Sequence, residues 1–292
     1  MTRGVWRYER LRRHHFAARR GDPKLGARCD QDQIWYTSMK YPSTMMEMEM
    51  EVKVLTKRED IRFDVPLYTL AEAARALDVP STTFATWARG YVRHPPGRRA
   101  VHGDPIVTAL REEAGKPTIP FVGLAEGMVL AAVRRARVPM QRVRPALAAL
   151  SKEIGIEYAL ASRRLYTDGA EILFDFAEDV SPKDAQAIRD LIVVRSGQRV
   201  FAEIVRDYLR RITYGKDGYA RQIRLPGYDR ARVVVNPDRA FGQPIFSHGA
   251  ASVSSVLERF WAGEDIDTLS LEFGVGAPEI EDVLRATSRR AA

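Results

Sequence analysis

Four side chains between Thr82 and Arg89 carry the clearest chemistry in this chain. Thr82, Thr83 and Thr86 offer hydroxyls and methyls, and Arg89 a planar fork of donors, on the side opposite Phe84 and Trp87. The i, i+3 spacing of that aromatic pair turns both rings inward on a helix. Threonine hydroxyls reach phosphates or base edges, a threonine methyl can contact thymine, and arginine reads guanine or anchors on phosphate. Beyond Gly90, the run Tyr91-Val92-Arg93-His94-Pro95-Pro96-Gly97-Arg98-Arg99 adds Arg93, Arg98 and Arg99 on a short cationic turn. The chemistry on offer is recognition of duplex DNA. The same spacing also suits a plain αα-hairpin with a solvated face.

Other reactive groupings are weaker. Asp175, Glu178 and Asp179 form a cluster of the kind a metal-dependent nuclease uses, but they are read as the end of a strand, with no further acids at helical spacing to complete a cage. His14, His15, His94, His102 and His248 show no metal-ligand spacing, no glycine loop matches a phosphate cradle, and no Gly-x-Ser-x-Gly turn occurs. The expectation is a non-enzyme with no catalytic residue, no metal and no cofactor.

The elements that must hold the threonines follow from local signals. Thr69-Leu70-Ala71-Glu72 is a capping box, and Leu70, Ala73, Ala74 and Leu77 then share one helical face. Asp78-Val79-Pro80 ends that helix, and Ser81 is expected to cap the next. Two short helices across a tight break make a helix-turn-helix at about Leu67 to Arg89.

The string Tyr68-Thr69-Leu70-Ala71-Glu72-Ala73-Ala74, then Val79-Pro80-Ser81-Thr82-Thr83-Phe84 and Trp87, resembles the MerR-type winged helix-turn-helix over roughly 50 residues. The resemblance implies a second helix in the major groove, placing Thr82, Thr83, Thr86 and Arg89 near bases, and a wing placing Arg93, Arg98 and Arg99 near phosphate.

Bulk properties bound these readings. At 292 residues and 45% hydrophobic content the chain can fill the cores of two domains. Its single cysteine, Cys29, excludes an intrachain disulfide and fits a reducing, cytoplasmic setting. No apolar run approaches the ~20 residues of a membrane span. The formal charge of +8 sits mostly in residues 1–30, where nine arginines and lysines face three acids, so the DNA reading rests on a specific element and not on overall basicity. Met1 to Met50 shows no apolar period and reads as a disordered arm or as text upstream of a misplaced start.

Downstream, Ala125 to Arg137 is expected to be a core helix with one broad apolar face. Val138-Pro139 starts a helix through Val143, Leu147 and Leu150 that Pro145 bends and Gly155 closes, with Gln141, Arg142 and Arg144 on its solvated side. Arg164 to Phe174 reads as a β-hairpin about Asp168-Gly169. Val200 to Ile212 reads as an amphipathic helix using Phe201, Ile204, Val205, Tyr208 and Leu209. Ile223-Arg224-Leu225 and Arg232 to Val235 read as strands around Pro226-Gly227. Near the end come a helix from Val253 to Trp261 and a second two-helix unit, Ile266 to Val275 and Pro278 to Ala286, whose Glu279, Glu281 and Asp282 would repel phosphate and favour a protein partner.

Val234-Val235-Asn236-Pro237, Phe241-Gly242-Gln243-Pro244-Ile245-Phe246, Val256-Leu257, Ala262-Gly263-Glu264, Phe273-Gly274-Val275 and Ile280 are together similar to domain of unknown function 433, over about 55 residues. With the amino-terminal motif and Leu165-Tyr166-Thr167-Asp168-Gly169, the chain resembles a larger VapB-type antitoxin. That resemblance implies operator double-stranded DNA and a PIN-domain ribonuclease toxin as partners, with the pair repressing its own operon. One helix and one wing bury too little for tight specific binding, so a homodimer or toxin-bridged hetero-oligomer is expected.

The resulting expectation is a mainly α, α+β protein. Residues 1–62 form an arm or mis-assigned start, 63–155 a winged helix-turn-helix with following helices, 156–230 an α+β middle region and 231–292 a helical module. The alternative is a stand-alone helix-turn-helix regulator whose middle domain senses a ligand or binds protein.

Overall fold

The centre of the molecule is a helix with no polar side. In the computed structural model, which describes residues 60–292 apart from 95, 98, 112–114, 196, 197, 250 and 292, every residue from Phe121 to Val133 is buried. The expected reading of residues 1–62 therefore lies outside the described residues for all but its last three. The central helix spans Phe121–Arg135, earlier than the predicted start at Ala125, and it is enclosed on all sides and not on one face. A helix that is apolar all round belongs inside a protein.

The helix-turn-helix packs on this rod. We number helices and strands in chain order: α1 (Leu70–Ala76), α2 (Ser81–Arg89), then the central helix as α3. The predicted capping box is present, with the Thr69 side chain accepting from the Glu72 N–H while the Glu72 carboxylate accepts from the Thr69 N–H. Asp78, at φ 55°, makes the left-handed break between the helices. One detail differs from expectation: Pro80, not Ser81, is the cap of α2, and Ser81 is its first residue, because proline fixes the extended entry without a side-chain bond.

After α2 the chain forms an antiparallel hairpin, β1 (Tyr91–Arg93) with β2 (Val101–Gly103). Next come α4 (Met140–Ile154), containing Pro145 and closed by left-handed Gly155, and α5 (Arg163–Phe176). Helix α5 overturns the predicted hairpin about Asp168-Gly169. Leu165, Gly169, Ala170 and Leu173 are buried at helical spacing, and a Cβ on Gly169 would stand 3.1 Å from the Phe201 ring, so the glycine makes room for packing and not for a turn. Asp168 pairs with Arg164 one turn earlier, and Asp175, within the same helix and so not at a strand end, pairs across to Arg199 at 3.0 Å.

Helix α6 (Pro182–Arg189) leads into a second hairpin, β3 (Ile192–Arg195) with β4 (Gln198–Phe201), and then α7 (Glu203–Leu209). The helix expected from Val200 to Ile212 is thus shorter: Phe201 ends β4, Ile212 opens β5, and Ile204 is 40% exposed instead of facing the core. Val205, Tyr208 and Leu209 do face inward, where α7 packs on α3.

One four-stranded antiparallel sheet follows in the order β5 (Ile212–Tyr214), β6 (Ala220–Arg224), β7 (Val233–Val235) and β8 (Ile245–Phe246). The predicted strands about Pro226-Gly227 pair as Ile223 with Val235 and Arg224 with Val234. The boundary expected at 230/231 therefore falls between two strands of a single sheet. Helices α8 (Val253–Trp261), α9 (Ile266–Phe273) and α10 (Ala277–Ala291) complete the chain. Asp282, expected outward on α10, is buried instead: its Oδ2 accepts from the backbone N–H groups of Arg230 and Ala231 at 2.8 and 2.9 Å. The fold is mainly helical with small sheets, as the sequence patterning implies. No helix among the described residues is long and apolar enough to cross a membrane.

Candidate nucleic-acid interface

The outward side of α2 is built by what lies beneath it. Phe84 and Trp87 are 0% and 2% exposed and meet edge to face at 6.1 Å, so the helix can rotate neither ring outward without losing its seat. Under Phe84 lies Gly127 of α3, and the absence of a side chain there lets α2 approach the rod closely. The indole position is fixed a second time, since the Trp87 carbonyl accepts from the N–H groups of Ile106 and Val107 at 2.8 and 3.2 Å.

On the other side, Thr82 and Arg89 are exposed, and Thr83 and Thr86 are half-buried. The Thr86 hydroxyl donates to the Thr82 carbonyl at 2.8 Å. Thr86 is therefore held against its own helix, while Thr82 is exposed. Arg89 occupies the last turn of α2, where a cation complements the helix dipole.

Gly90 joins α2 to the hairpin at φ 73° and ψ −168°, a conformation open essentially to glycine. A Cβ there would also run into the Gly103 carbonyl oxygen, and one on Gly103 would enter the Tyr91 ring, so the two strands close tightly at their base. Tyr91 is covered by Arg93 at 5.0 Å and by Arg144 of α4 at 5.4 Å, and Arg144 also donates to the Asp104 carbonyl oxygen. The predicted solvated role of Arg144 is thus replaced by a structural one. Arg93 and Arg99 are exposed on the hairpin, as are Val92, Val101, His94 and His102. Arg98 lies outside the described residues.

A buried acid ties the segment that follows this hairpin to the core. Glu126 of α3 is enclosed and accepts from the Thr108 N–H at 2.6 Å, and burial pushes its carboxyl up to about 7, against the lowering effect of that bond. Glu126, Gly127 and Gly90 were not anticipated as positioning residues. For Glu126 and Gly127 the signal was present only as an acid and a small residue interrupting an apolar helix. Elsewhere, the groups considered for metal chemistry do not assemble: among the described residues no three His, Cys, Asp or Glu side chains could hold an ion together.

Comparisons with known proteins agree with this arrangement. A family model described as "Putative DNA-binding HTH domain" matches residues 66–147, which takes in α1, α2, the hairpin, α3 and half of α4. The Mycobacterium tuberculosis (strain ATCC 25618 / H37Rv) protein named "Putative antitoxin VapB45" is 50% identical over 231 residues, 78% of this chain and 96% of that protein. A second protein of that strain, "Uncharacterized protein Rv2308", is 27% identical over 254 residues, covering 84% of this chain and 96% of its own length. The crystal structure of Rv2018 from Mycobacterium tuberculosis superposes with a TM-score of 0.68 at 47% identity, covering 76% of this chain and 99% of that one.

Proposed function

The chain belongs to the VapB45 family of antitoxins, and from this premise we propose that it is the DNA-binding antitoxin of a toxin-antitoxin pair, acting in the cytoplasm. It neutralises a PIN-domain ribonuclease toxin and, with that toxin, represses its own operon. The observation that carries the DNA half is the orientation of α2, whose aromatic pair is sealed in the core while Thr82 and Arg89 stand outside.

In this reading α2 lies in the major groove. Thr82, Thr83, Thr86 and Arg89 face base edges, and Arg93, Arg98 and Arg99 on the wing face phosphates. One α2 and one wing cover a small footprint, so two copies, joined directly or through the toxin, bind two half-sites one helical turn apart.

The test is an operator-shift titration over a range of salt. Affinity is expected to fall steeply with salt, and Arg89→Ala with Arg99→Ala to weaken binding and reduce the slope. A titration that is flat in salt and unchanged in the double variant would overturn the DNA half. Co-expression with the adjacent gene tests the toxin half: co-purification and rescue of growth are expected, and a neighbour without an acidic nuclease cluster would favour a stand-alone regulator.

A further inference from the structure

Behind the helix-turn-helix, three guanidinium groups from distant parts of the chain converge on one cleft of about 620 Å³: Arg135 at the end of α3, Arg211 after α7 and Arg289 on α10. Two carboxylates, Asp78 and Asp229, stand on the same walls. Arg135 is matched by Asp78 at 2.5 Å, but neither Arg211 nor Arg289 has an ion-pair partner among the described residues. Arg211 is the more enclosed of the two. It donates from Nη1 to the Leu225 carbonyl at 3.4 Å, its enclosed Nε–H has no acceptor among the described residues, and it rests against the Tyr208 ring at 5.6 Å. Burial, the largest cause, lowers its pKa, and the charges of Arg224 and Arg135 add to it against Tyr208 and Asp207.

Guanidinium groups match the geometry of phosphate and carboxylate oxygens, and two of the three here have no carboxylate partner among the described residues. The cleft lies within the size range of small-ligand sites and is far larger than one ion requires. We propose that it binds a small oxyanion-bearing molecule, a phosphate or carboxylate compound, held by Arg211 and Arg289 with Arg135 at its edge. Because Arg135 is also the partner of Asp78, the residue at the break between α1 and α2, an anion that draws on Arg135 competes with that pair. Occupancy of the cleft then loosens the turn that sets α2. The link to α2 rests on the DNA reading given above, whereas the binding itself does not.

Calorimetry of the full chain at constant ionic strength tests the site without DNA, using inorganic pyrophosphate, ATP and citrate as probes. Saturable binding of at least one probe is expected, and which one binds separates the phosphate from the carboxylate class. Arg289→Gln, on an exposed helix face, should weaken that probe about tenfold, and Arg211→Gln at least as much. The proposal is overturned if none of the three probes binds at millimolar concentration, or if Arg289→Gln binds as the native chain does. It is also overturned if Arg289→Gln weakens duplex binding and leaves the probe's affinity unchanged, since the cleft would then belong to the DNA surface. Intact probe binding in a chain that fails to bind operator would sink the DNA reading and leave the site standing.

Discussion

Gly127 of α3 lies directly beneath Phe84 of α2: a Cβ built on the glycine would stand 2.7 Å from Phe84 Cε2 and 2.8 Å from Leu77 Cδ1. Both neighbours are fully enclosed, so neither can swing aside. Gly127→Ala gains about 1 kcal/mol of helix propensity but overpacks a full core at about 1–3 kcal/mol. The expected result is a net loss of about 1 kcal/mol by urea denaturation, and a larger one for Gly127→Val. An alanine variant more stable than the native chain would show that the ring has room to move.

Glu126 gives stability a dependence on pH of unusual sign. Its carboxyl ionises near 7 in the folded protein against an ordinary value of 4.5, so the folded state holds a proton that the unfolded chain has released. Its contribution is full below about pH 4.5 and is lost as the pH rises through about 7. Glu126→Gln keeps an acceptor for the Thr108 N–H and should flatten the dependence between those limits in a denaturation series. If the native chain and the glutamine variant trace parallel curves, the carboxyl is not titrating there.

The threonines of α2 should not be equivalent. Thr86 already uses its hydroxyl on the Thr82 carbonyl, whereas Thr82 is exposed. Thr82→Val is expected to lower operator affinity and relax discrimination by about 1–3 kcal/mol, and Thr86→Val to change it little. Trp87→Ala removes the seat of the helix, costs about 3–5 kcal/mol of stability and abolishes binding. Equal effects from Thr82→Val and Thr86→Val in a shift assay would contradict this order.

Asp282 anchors α10 through two backbone donors. Burial raises its pKa, but the N–H groups of Ala231, Arg230 and Asp229 outweigh that and hold it below the ordinary carboxylate value. The stability it adds is therefore present above about pH 4 and fades on further acidification. Asp282→Ala orphans the Arg230 and Ala231 donors and should cost about 3 kcal/mol, while Asp282→Asn should cost less and remove the acid-side loss. A neutral alanine variant in thermal melts would refute the anchor.

The helix-turn-helix was legible because each of its signals is local. The Thr69 and Glu72 box, the Asp78-Val79-Pro80 break and the inward Phe84 and Trp87 act within a few residues, and the structure holds each one. The errors fall where a distant neighbour decides. Asp168-Gly169 has the composition of a hairpin turn, but Gly169 is small for the sake of Phe201, a residue on another element. Asp282 looked like a solvated acid because its partners, Arg230 and Ala231, are remote in sequence. The base of the β1–β2 hairpin was hidden for the same reason, as Tyr91 is clamped from α4 by Arg144. The roles given to Thr82, Thr83, Thr86, Arg89, Arg93, Arg98 and Arg99 remain proposals that the substitutions above address.

The buried Tyr68 hydroxyl, just before the capping box of α1, donates to the Gly242 carbonyl at 2.8 Å across a sequence separation of 174 residues. During synthesis that bond cannot form until Gly242 has left the ribosome, and proteolytic trimming upstream of Gly242 strands a phenol that burial holds in its neutral form. A nascent or clipped chain can thus build α1 and α2 yet leave them unsealed. Synthesis or loss of the segment through Gly242 is in this way recorded at the foot of α1.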